Sequence, residues 1–222
     1  MNDNHNPSAT SQVQTRRSNR ILGFSDGVFA IAITLLVLTL EVPSNLTSSE
    51  EVSSFLWEAL PQVVVYAASF MVIGTFWVRH HRMFDISRAV DGRMLVLNLV
   101  FLAFVALLPF PSDLLGNDQT TSTVIAFCAV AGAATLCEFG MWRHLERHRE
   151  LLLPDIPGER IAALKTWRLW SLGVLIVCSL VSVLSPRIAV LMLLALFPVY
   201  ELVYHRRHHR RERTLYLLSD DR

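Results

Sequence analysis

The sequence is short of charge. Asp, Glu, Lys and Arg make up 18% of it against 52% hydrophobic residues, and the mean hydropathy is +0.40. The apolar residues fall in blocks rather than in amphipathic periods, and blocks of about 18 or more are what a hydrocarbon core of roughly 30 Å demands. A water-soluble fold is therefore excluded. Cysteine is scarce too: Cys128, Cys137 and Cys178 lie inside apolar blocks at no metal-ligand spacing, so they read as small hydrophobes and imply no oxidising compartment. The histidines are scattered over tails and loops instead of gathered at one depth, which argues against a membrane enzyme. His80–His81 and His205/His208/His209 stand in tandem at basic ends and are not read as a metal site, and no cofactor is expected. No span carries the repeated arginines of a voltage sensor. The polar midplane typical of a secondary transporter is also missing, and only Pro198 disturbs a span.

What is present is an all-α, polytopic pattern with six expected transmembrane helices. The first runs from about Leu22 to Val42 and stops at Pro43. The second, with Pro61 tolerated in its first turn, reaches about Val78 and ends in the basic cluster WVRHHR. The third covers about Met94–Phe110 and terminates at LLPFPS, where two prolines bar further helix. The fourth is about Thr121–Trp142, and its AVAGAA segment lets another backbone approach closely. The fifth and sixth are about Leu169–Leu184 and Ile188–Tyr204. The expected domains are a disordered tail over 1–19, the spans over 20–204 and a basic tail over 205–222.

Six spans would put both termini on one side. The loops after the first and third spans contain no Lys or Arg, and Arg187 is the one basic residue on that face. The positive-inside rule then places the N- and C-termini in the cytoplasm of a multi-pass cell-membrane protein. The other face carries Glu41, Glu50, Glu51, Glu58, Asp113 and Asp118, an acidic surface that would concentrate cations. Phe55, Leu56 and Trp57 suit an interfacial belt. The basic tail is read as a topology determinant and a contact for anionic lipid, with no nucleic-acid role.

The stretch Arg20–Leu40, RILGFSDGVFAIAITLLVLTL, organises the rest. At about 100° per residue, Ile31, Leu35 and Leu38 share one stripe, extended by Phe24, Gly27 and Val28 at one end and by Val42 at the other. Thr34, the nearest hydroxyl, sits beside it. Ser25 and Asp26 point away and face neighbouring helices. A carboxylate at the mouth of a span needs a partner; Arg20, the His80/His81/Arg82 cluster and Asn98 are the candidates, with the helix dipole as a further stabiliser. A stripe of branched aliphatics can close a pore by size and dewetting, and it is equally the pattern of ordinary helix packing.

The string R-x-x-x-F-S-D at Arg20, Phe24, Ser25 and Asp26, followed by GVFAIAITLLVL, resembles the signature of the transmembrane protein 175 potassium channel family. FWVRHHRMF (Phe76–Phe84) and NLVFLAFVALLPFPS (Asn98–Ser112) agree with it, so the likeness covers about Arg20–Ser112. The resemblance implies a leak-type, potassium-selective channel: a homotetramer in the bilayer, with a central pore lined by the first helix and without the TVGYG filter, which this sequence also lacks. It implies an aliphatic constriction at Ile31, Leu35 and Leu38 and a polar layer at Thr34. Potassium is the permeant ion, and the Arg20/Phe24/Ser25/Asp26 motif has a structural role, with His80, His81 and Asn98 as possible motif partners. A secondary transporter and a proton-permeable channel are the alternatives.

Overall fold

The computed structural model describes residues 7–44, 47–154 and 158–199, of which 7–18 and 158–168 are described as backbone only. Its elements are α1 (Pro7–Leu35), a 3₁₀ turn (Leu36–Thr39), α2 (Ser49–Glu58), α3 (Leu60–Asp85), α4 (Gly92–Leu107), α5 (Pro109–Asn117), α6 (Thr121–Arg147), α7 (Gly158–Ser182) and α8 (Pro186–Leu196), with one further 3₁₀ turn at Arg149–Leu151. The bundle is all helical, as the apolar blocks require.

The expected count of six spans is corrected. Among the described residues, four helical stretches are long and apolar enough to cross a membrane: Asn19–Thr39, Leu60–Asp85, Gly92–Asn117 and Thr121–Arg147. The last two apolar blocks form shorter helical stretches, Leu169–Ser182 and Pro186–Leu196. The reason is local. The first half of α7 carries Glu159, Arg160, Lys165 and Arg168, which breaks the apolar run. The 11 residues of α8 rise about 17 Å at 1.5 Å each, and residues 200–204 of the expected sixth span lie outside the described residues. Four crossings are even like six, so the changed count does not bear on whether both termini lie on one side. The tail expected over 205–222 lies outside the described residues. The one expected over 1–19 is helical from Pro7 onward.

Two other boundaries shifted. Pro109 starts α5 at its first turn instead of ending the apolar run, because a proline at that position gives up only an N–H that would be unpaired anyway. The second span continues through its basic cluster to Asp85. Helix starts are capped where the sequence offers hydroxyls or carboxylates. Ser48 and Glu51 form a reciprocal capping box on α2, Thr120 and Thr123 do so on α6, and Asp91 accepts the Met94 N–H at the start of α4.

In lipid, helices associate through close packing and polar ties rather than through water exclusion. α4 lies along α6, where Ala131 and Ala134 are fully buried and a Cβ at Gly140 would come within 3.6 Å of Leu97. α1 packs on α3 and α4 through Ser25, Phe29 and Ala32, and the following turn continues that buried face with Leu36 and Thr39 against α3 and α5. At one end of the bundle the connection after α3 and the segment after α6 are tied together. Arg88 N–H donates to Leu151 O at 2.7 Å, Leu153 N–H donates to Ile86 O at 3.0 Å, and the His144 ring meets Asp91 Oδ2 at 2.7 Å. Burial would push Asp91's carboxyl up, but the Met94 N–H and His144 outweigh it and hold it below the usual range.

Candidate functional site

The first span has two faces with different fates. Its inner face is packed as just described. Its outer face leaves Ile31 61%, Leu35 42% and Leu38 73% exposed, with Phe24 and Val42 exposed at either end. Among the described residues no other helix covers this row of large aliphatics, and it is the stripe that helical spacing picked out. Thr34 is exposed beside it. Its hydroxyl hydrogen is turned back into the helix, toward Ala30 O and Ile31 O, both at 2.9 Å. The Thr34 oxygen therefore presents lone pairs outward, as an acceptor for a cation or for water.

Behind that helix lies a polar chain. Ser25, fully buried, donates to Ile21 O at 2.9 Å and accepts from Asn98 Nδ2 at 3.1 Å. Asn98 Oδ1 in turn meets His80 Nε2 at 2.8 Å, so the proton of that pair sits on Nε2. The His80 ring is boxed by Phe29, Phe84 and Phe101, with centroids 5.6, 4.5 and 5.7 Å away. Asn98 is thus the bridge: it ties α1 to α4 directly and joins α3 through His80. Asp26 takes a different partner, Trp77 Nε1, at 2.9 Å. His81 faces Asp85, with a nitrogen–oxygen distance of 3.8 Å. Arg20 is exposed where the apolar stretch begins. Of the motif residues, Phe24 belongs to the open face, while Ser25 and Asp26 point back into the bundle.

One polar group in the apolar spans was not anticipated. Arg79, counted with the basic cluster in the sequence, is only 2% exposed and pairs with fully buried Glu138 of α6 at 2.9 Å. Its other terminal nitrogen donates to Ser171 of α7, also at 2.9 Å, and the guanidinium carbon lies 5.2 Å from the Phe76 ring centroid and 5.8 Å from that of Phe197. An ion pair in that setting is stabilised by its partner and by the aromatic faces together. The signal available in the sequence was a lone glutamate within an apolar block.

These features define a polytopic membrane protein whose first span turns an unpartnered aliphatic face with a hydroxyl beside it away from its own bundle. Residues 20–109 match the family model described as endosomal/lysosomal potassium channel TMEM175. A potassium channel of Streptomyces collinus is 36% identical over 180 residues, covering 76% of this chain and 84% of that one. The crystal structure of a lysosomal potassium-selective channel TMEM175 homolog from Chamaesiphon minutus superposes with a TM-score of 0.72 at 28% identity, covering 84% of this chain and 97% of that chain. The chain belongs to the TMEM175 family.

Vertebrate relatives match over less of their length. The mouse one is 34% identical over 155 residues, which is 62% of this chain but 30% of the relative, and it is named an endosomal/lysosomal proton channel. The rat, chicken, human and bovine relatives carry the same name. Those names overturn the cell-membrane address read from loop charge, and that address is withdrawn. Charge asymmetry orients a protein in whatever bilayer holds it and does not choose the bilayer.

Proposed function

We infer that the chain is a subunit of a potassium-selective channel and conducts no chemistry of its own. The ion path runs along the open face of α1. The observation that carries this reading is that, among the described residues, Ile31, Leu35 and Leu38 are left uncovered by the other helices, while Ser25, Phe29 and Ala32 on the opposite face are buried. Copies that meet through this face around an axis would bury the stripe against itself. Four copies give one ring of isoleucines and two rings of leucines at successive depths, with a layer of threonine oxygens beside Ile31. Such a ring constricts by size and by excluding water. An ion passing it must shed part of its hydration shell, which is cheaper for potassium than for sodium. Thr34, with its hydrogen committed to the helix backbone, offers the replacement oxygen.

In this reading the Asn98 bridge and the Asp26–Trp77 bond hold the back of α1 at a fixed distance and rotation. Arg20, Phe24, Ser25 and Asp26 position the helix and do not touch the permeant ion. The test pairs a native mass measurement in detergent with potassium flux into liposomes. A mass of four chains with flux that does not saturate supports the tetrameric channel. Flux that saturates or requires a co-substrate would replace it with a transporter. The names of the vertebrate relatives favour proton permeation as a second reading, and the same liposomes under a proton gradient separate the two.

A further inference from the structure

The open face of α1 does not stay α-helical along its whole length. After Leu35 the chain tightens into the 3₁₀ turn Leu36–Thr39. In a continuing α-helix the Leu36 carbonyl would accept the Leu40 N–H. Here the Thr39 hydroxyl donates to Leu36 O at 2.8 Å, and the Leu40 N–H turns to Val37 O at 3.2 Å. Thr39 is a buried hydroxyl on the packed face, against α3 and α5, so its bond is sheltered from competing water. Pro43, four residues on, has no N–H to give and clashes with the carbonyl of Thr39 in a helix, so the chain can end there in either form.

The turn has a directional consequence. In 3₁₀ geometry residues three apart eclipse, at about 120° per residue. Leu36 and Thr39 therefore share the buried side, and Leu35 and Leu38 share the open side, as their exposures show. At about 100° per residue, Leu38 would be rotated about 60° from the line of Leu35. We infer that Thr39 is a positioning residue: its hydroxyl holds the turn in 3₁₀ form and thereby aims Leu38 onto the line of Leu35. This rests on the reading that the open face of α1 lines the pore. Loss of the Thr39 hydroxyl returns the Leu36 carbonyl to Leu40, and Leu38 turns about 60° off the line of Leu35.

The experiment measures block of potassium current by a membrane-impermeant thiosulfonate, using the full chain reconstituted in bilayers. Leu38→Cys is combined with Thr39, Thr39→Val or Thr39→Ser, and Ile31→Cys serves as a reference below the turn. The expected result is rapid block of Leu38→Cys, a severalfold changed rate with Thr39→Val, return to the original rate with Thr39→Ser, and no change in the rate at Ile31→Cys. Thr39→Ala makes the same comparison if Thr39→Val does not assemble. Equal block rates at Leu38→Cys with Thr39, Val, Ala and Ser would overturn the positioning role and leave the pore reading standing. Absence of block at both Leu38→Cys and Ile31→Cys would remove the pore reading and this inference with it.

Discussion

Loss of Glu138 should cost the fold several kcal/mol, on the order of 3–5. Arg79 and Glu138 are almost completely buried, joined at 2.9 Å, and connect α3 to α6, with Ser171 extending the tie to α7. Removing one partner leaves a charge inside the bundle, and breaking a buried pair in this way typically costs about 3–5 kcal/mol. With a tenfold change in the equilibrium for each 1.4 kcal/mol or so, Glu138→Leu should lower folding stability by roughly two to three orders of magnitude. Glu138→Gln keeps an acceptor for Arg79 Nη2 and should cost less, on the order of the 1.5–3 kcal/mol of a charged hydrogen bond. Replacing both partners, as Arg79→Met with Glu138→Leu, removes the stranded charge and should recover most of the loss, because apolar substitutes for buried pairs are often neutral. The assay is equilibrium unfolding in detergent, followed for the two single variants and the double variant. A Glu138→Leu variant within 1 kcal/mol or so of the parent, or a double variant no better than the single, would refute the reasoning.

Other expectations follow from the polar ties. Asn98→Leu should cost about 1–3 kcal/mol, since it strands the His80 Nε2–H in an aromatic box; unfolding in detergent measures it, and a neutral result contradicts the bridge. Trp77→Phe removes the donor to half-exposed Asp26 and should cost about 1 kcal/mol, the net worth of an ordinary hydrogen bond in a partly solvated setting. Asp26→Asn combined with Trp77→Phe should then add little, and a fully additive double variant argues against the bond. Asp91, held below the usual range, adds stability that is present above the ordinary aspartate value of roughly 3.9 and is lost as pH falls through its lowered pKa. Asp91→Asn should therefore flatten the loss of stability below about pH 4, and an unchanged acid limb in pH-resolved melting contradicts that.

Much of the site was legible because its elements are local. The stripe of Ile31, Leu35 and Leu38 follows from helical spacing alone, and the same spacing turns Ser25 and Asp26 toward the bundle. The partner of Asp26 was less accessible. Three candidates stood in the sequence, yet the indole of Trp77 takes the bond, because packing of α1 on α3 is a tertiary fact that no local pattern encodes. Arg79 illustrates the same limit. In sequence it belongs to a run of basic residues at a span's end, and only the crossing of α3, α6 and α7 brings Glu138 and Ser171 to it. The span count went astray for a different reason. A span needs helix and apolar character over the same length, and in α7 the helix is long while its apolar part begins only after the charges of its first half. Thr39 was invisible too: a hydroxyl within a leucine-rich run says nothing about its acceptor until the turn geometry is seen.

The central claim is that potassium passes along the open face of α1, and the reversal potential under opposed potassium and sodium gradients tests it most directly. Bilayers containing the parent chain should reverse near the potassium equilibrium potential. Ile31→Asn, which opens and wets the proposed ring, should move that potential toward zero, and Thr34→Ala should move it in the same direction. Reversal potentials unchanged from the parent in both variants would contradict the claim.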